Sequence, residues 1–125
     1  MNNRWYITSL DSRTIRDIRH SFAEQLARCG KTEAQIRDCT IILGELLANA
    51  CEHGSLPIRV ELCPCGEFWQ LRVSDAGAGF APIVRPAQLL DVRGRGLSIV
   101  EGLGGTIHVS EGRSPSVDVT LPLRD

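Results

Sequence analysis

The sequence predicts a two-layer α+β domain: a mixed, mainly antiparallel sheet with helices on one face. Three observations carry this expectation. Two long early stretches place apolar residues at helical spacing, while Ile58–Leu62 and Trp69–Val73 alternate apolar and polar residues as strands do. The order of elements, strand, helix, helix, strand, strand, loop, helix, strand, strand, separates helices from hairpins, as in α+β proteins. The length of 125 residues suits one hydrophobic core, so residues 1–125 are expected to form a single domain.

Each element has its local reason. Trp5–Leu10 predicts the first strand, and Asp11 or Ser12 is placed to cap the helix after it. In that helix Ile15, Ile18, Phe22, Leu26 and Cys29 form one apolar stripe, and Gly30 is placed to end it. Thr32-Glu33-Ala34-Gln35 has the form of a capping box and predicts the start of a second helix running to about His53. Its core face is Ile36, Cys39, Leu43, Leu46, Leu47 and Ala50. Glu45, Asn49 and Glu52 share another stripe, flanked by Ile41, Ile42 and Ala48. A polar strip edged by apolar residues predicts a partly buried helix whose polar side lines a cleft. The two alternating segments form a hairpin around a Pro64–Glu67 turn. From Asp75 to Gly96 periodicity is lost and glycines and prolines accumulate. A short helix around Leu97–Leu103, ended by Gly104-Gly105, then leads to strands at Thr106–Ser110 and Val117–Leu123.

Composition narrows the function classes. A net charge of −1, from fourteen basic and fifteen acidic residues, leaves no broad footprint for nucleic acid. The most apolar stretch, Thr40–Cys51, contains Glu45 and Asn49 and is too short and polar to span a bilayer, so no membrane association is expected. The start, Met1–Arg4, shows no signal-peptide core, and the expected location is cytoplasmic. Five cysteines, an odd number, do not read as a disulfide framework. Cys63-Pro64-Cys65 reads as a tight turn with two reduced thiols.

Three clusters carry chemistry. Glu45 and Asn49 lie one helical turn apart and can act on one ligand: the Asn oxygen suits Mg²⁺, and the carboxylate can accept a proton. Asp75, after an apolar strand and before Gly77 and Gly79, can accept a hydrogen bond from an exocyclic amine such as that of adenine, while bare backbone packs against a flat ring. Arg93-Gly94-Arg95-Gly96-Leu97 opens a helix whose free N–H groups can face phosphate oxygens, with the arginines adding charge. It is neither a Rossmann nor a Walker motif.

In order and together these motifs resemble the GHKL ATPases, the Bergerat fold. Glu45–Ala50 looks like the N box, Asp75–Gly79 like the first glycine box and Gly94–Leu97 like the second, while Val119-Thr120-Leu121-Pro122 resembles the closing strand. Asn49–Gly54 with a short lid is most similar to the bacterial anti-sigma serine/threonine kinases. The resemblance implies ATP and Mg²⁺ as cofactors and Glu45 as catalytic base. It makes Asn49 the Mg²⁺ ligand and Asp75 the adenine acceptor, with Thr120 supporting the base. Gly77, Gly79, Gly94, Arg95, Gly96 and Leu97 would shape the pocket and lid. It implies phosphorylation of a STAS-domain anti-anti-sigma factor, sequestration of a sigma factor, and a homodimer. A nucleotide-binding regulatory module without kinase activity and the ATP-binding part of a histidine kinase system are the alternatives. The chain departs from many relatives at Ala81, where an acid is common, and at Gly104-Gly105, where the post-lid helix often ends in an acid.

Overall fold

The computed structural model describes residues 3–9, 11–53, 56–65, 68–75, 99–110 and 116–123. Asp11 is the cap of the first helix: its Oδ1 accepts from the Thr14 backbone N–H at 2.8 Å, and Ser9 Oγ donates to its Oδ2. The Thr14 N–H, followed by weaker contacts, holds the Asp11 carboxyl below its ordinary range. This turn also explains why the first strand, β1 (Asn3–Ile7), stops before the expected Leu10: residues 8 and 9 already bend toward the cap.

Helix α1 (Ser12–Arg28) buries Ile18, Phe22 and Leu26, with Ile15 packed beside them. Each fully buried side chain of this size contributes about 1.5–3 kcal/mol. Cys29, expected on the same stripe, is instead exposed, because it is the C-cap, where the backbone leaves the helix. Gly30 (φ +80°) donates to Ala27 O at 3.0 Å and Lys31 donates to Leu26 O at 3.1 Å, a Schellman closure at the expected glycine. The capping box of α2 (Glu33–His53) forms as the sequence predicts: Gln35 N–H donates to Thr32 Oγ1 at 3.1 Å, and Thr32 N–H donates to Gln35 Oε1 at 2.9 Å.

Five strands follow the order β1-β2-β3-β5-β4, with β2 (Ile58–Cys65), β3 (Phe68–Asp75), β4 (Thr106–Ser110) and β5 (Ser116–Thr120). All four pairings among the described residues are antiparallel. β2 and β3 run further than expected: Pro64 pairs with Trp69 and Cys65 with Phe68, so the Cys63–Cys65 run is strand rather than turn. Among the described residues the β1 pairing reaches only Asn3–Leu62, so the missing N–H of Pro64 removes no described β1 bond. β5 stops at Thr120 rather than Leu123, but Leu121 and Leu123 remain in the core, and Leu121 N–H donates to Trp69 O at 2.8 Å. Of the short helix expected before β4, residues 99–102 are described as helical, and Gly104 and Gly105 close it as the sequence predicts.

The inward strand residues Ile7, Ile58, Val60, Leu62, Leu71, Val73 and Val119 form one core with α1 and α2. Across the opposite face runs a charge ladder in register, Arg4–Glu61–Arg72–Asp118–His108. Arg72 grips Asp118 through two hydrogen bonds, 2.8 and 3.0 Å, which hold its guanidinium above its ordinary pKa. Arg4 reaches Glu61 at 3.1 Å, and Arg59 lies 3.2 Å from the same carboxylate. The Arg59 contact is ionic rather than a hydrogen bond, since its buried Nε has no acceptor in line.

Candidate functional site

The polar stripe of α2 separates into distinct environments. Leu43, Leu46 and Leu47 are buried, and so is Ile42, which the sequence placed at the margin of the polar strip. Ile41 stays exposed and Glu45 is half-buried. Asn49, one turn on, is only 5% exposed, and its Oδ1 is buried without a hydrogen-bond partner among the described residues. An amide oxygen left in this state costs about 1–3 kcal/mol. A folded chain retains such an atom where something else completes it.

Connectivity brings this end of α2 to one end of the sheet. The helix closes at His53, β2 begins at Ile58, and Ile58 pairs with Asp75, the last residue of β3. α2 also packs on β3. The N-box residues and the glycine-box acid thus come from two elements that meet at a common edge. Gly77, Gly79, Gly94, Arg95, Gly96 and Leu97 lie outside the described residues, as do the side chains of Glu52, His53 and Asp75.

Thr120 is not brought to that edge. It pairs with Gln70 and Thr106, five residues along β3 from Asp75, or roughly 17 Å at the rise of an extended chain. It also has the parity of Asp118, which is bonded on the face away from the helices. Ser116, in register with Ser74, is the described β5 residue at the Asp75 end, and it shares the parity of Asp118 and Thr120.

The donor set fits Mg²⁺ through one atom: a neutral, buried, unpartnered oxygen is a suitable hard ligand. No cluster of three His, Cys, Asp or Glu side chains forms among the described residues. Mg²⁺ commonly accompanies phosphates with only one or two protein oxygens, a mode that a single Asn49 oxygen suits. Among the described residues no helix is long and apolar enough to cross a membrane.

Comparison with known proteins agrees with the fold. The family model for the histidine kinase-like ATPase domain matches residues 8–121. Among solved structures, the histidine kinase AdeS of Acinetobacter baumannii is similar, with a TM-score of 0.56 and 18% identity over 98% of this chain and 68% of that one. At that identity the likeness speaks for the fold alone. No curated protein matches the chain.

Proposed function

The chain belongs to the histidine kinase-like ATPase domain family, and from that premise we propose that it is an ATP- and Mg²⁺-dependent serine/threonine kinase of the anti-sigma type. In this reading it phosphorylates a STAS-domain anti-anti-sigma factor, sequesters a sigma factor while the antagonist is phosphorylated, and works as a cytoplasmic homodimer. The observation that carries it is the orphaned Oδ1 of Asn49, one turn from Glu45 and at the Asp75 end of the sheet.

Each residue has a distinct task. Asn49 presents its oxygen to the cation. Asp75, at the end of β3, accepts from the exocyclic amine of adenine, and the acid is suited to this because it is acceptor-only when ionised. Glu45, half-buried on α2, accepts the proton of the attacking seryl or threonyl hydroxyl at its carboxylate. Gly77, Gly79, Gly94, Arg95, Gly96 and Leu97 belong to the pocket and lid of the same reading. Mg²⁺-ATP, when bound, supplies the phosphoryl group and neutralises its charge.

The likeness to a histidine kinase motivates a second reading, a domain that serves phosphohistidine transfer. The two are separated by recovering partners from the native host with and without ATP and analysing phosphopeptides under conditions that preserve phosphohistidine. Serine or threonine phosphate on a recovered STAS protein supports the kinase. Phosphohistidine, or partners bound without any phosphate transfer, refutes it.

A further inference from the structure

Among the described residues β1 is an edge strand, and its one charged residue, Arg4, is drawn to Glu61. Its pairing with β2 runs unbroken from Asn3–Leu62 to Ile7–Ile58, so no bulge twists it away, and Asn3–Ile7 contains neither proline nor lysine. In such a strand every second residue turns its N–H and C=O away from the sheet. Five residues span roughly 17 Å, enough for a short extended segment to pair along.

Beside this edge lies a cleft of about 350 Å³ lined by Trp5, Tyr6, Thr14, Asp17, Ile18 and Ser21. Thr14, Ile18 and Ser21 recur at spacings of four and three, with Asp17 beside Ile18, so one side of α1 forms the far wall. The near wall is fixed: Trp5 Nε1 donates to Ser21 Oγ at 3.1 Å, and its ring meets Phe22 edge-on at 6.3 Å. A strand edge beside a helix, with pockets for alternate side chains, is the geometry in which peptides bind by strand addition.

The chemistry of the occupant follows from Asp17, the one carboxylate of the lining. It is exposed and forms no ion pair or hydrogen bond among the described residues, although Arg13 and His20 are its i−4 and i+3 neighbours. Elsewhere Glu61 and Asp118 are held by arginines. An unanswered acid at the wall of a groove selects a cation.

We propose that the free edge of β1 and the cleft beside α1 form a strand-addition site for an extended segment of a partner protein, with a lysine or arginine side chain placed against Asp17. This site is separate from the nucleotide site and does not depend on kinase activity.

The test uses the full chain and two synthetic peptides, acetyl-Thr-Val-Lys-Val-Thr-amide and its counterpart with Glu in place of Lys, read by residue-resolved amide hydrogen exchange. The Lys peptide should slow exchange of the outward amides of β1 at least tenfold and leave β4 unchanged, whereas the Glu peptide should not. In the D17K variant the preference should invert, with circular dichroism confirming that exposed position 17 leaves helix content intact. Equal slowing by both peptides, or none by the Lys peptide, overturns the proposal. Slowing that grows with protein concentration without peptide also overturns it, because a second copy then occupies the edge.

Discussion

Replacing Asn49 by leucine separates what this residue does for the fold from what it does for a ligand. The side chain is 5% exposed, on a helix whose neighbours Leu46 and Leu47 are in the core, and its Oδ1 has no partner among the described residues. Removing a buried unsatisfied oxygen relieves about 1–3 kcal/mol, and a side chain of similar volume offsets part of this through imperfect fit. The net expectation for N49L without nucleotide is a gain of about 1 kcal/mol, which for a domain of this size raises Tm by about 3–6 °C. With Mg²⁺-ADP at one hundred times its Kd the wild type gains about 2.7 kcal/mol, which the variant forfeits. The order of melting should therefore invert: N49L higher without ligand, wild type higher with Mg²⁺-ADP, in parallel thermal scans. A variant that melts lower without ligand would show that Asn49 is already satisfied by the fold. Equal shifts with Mg²⁺-ADP would remove it from the site.

Other perturbations address separate parts of the structure. D75A leaves the adenine amine without its acceptor and should weaken ADP binding by about 1.5–3 kcal/mol, read by calorimetry. G105A should destabilise the chain by about 1–3 kcal/mol in urea titrations, since an added Cβ falls 3.0 Å from Cγ1 of both Val100 and Val119, which are fully buried. Burial pushes the Cys39 thiol up to about 12, so Cys39 should resist a disulfide reagent at pH 8 while exposed Cys29 reacts. Because the folded pKa of Cys39 lies above the ordinary thiol value near 8.5, its contribution to stability should be intact below that pH and fall away as pH rises toward 12. A C39S variant should flatten that alkaline loss.

Much of the fold was legible because its signals are local. The capping box at Thr32–Gln35, the Asp11 cap and the Gly30 stop each act within a few residues, and each formed as the chain predicts. Element ends were less legible because tertiary context decides them: Pro64 joins β2 through its pairing with Trp69 across the hairpin. The inward position of Ile42 was missed for a related reason, since helical spacing alone does not say how wide the buried stripe of α2 is. The closeness of Glu45 and Asn49 was legible from one helix turn, whereas Thr120 was carried over from a motif. Its position depends on sheet register, which a motif does not contain, and the structure pairs it with Gln70, five residues from Asp75.

The most direct measurement is transfer of γ-phosphate from labelled ATP to proteins of the native host by the wild-type chain and by E45Q. The kinase reading predicts Mg²⁺-dependent, acid-stable label on a serine or threonine of a small STAS protein. It predicts that E45Q binds ATP nearly normally and transfers roughly 10²–10⁴-fold more slowly. Acid-labile label on histidine, no label at all, or E45Q turnover within a factor of a few of wild type would contradict it.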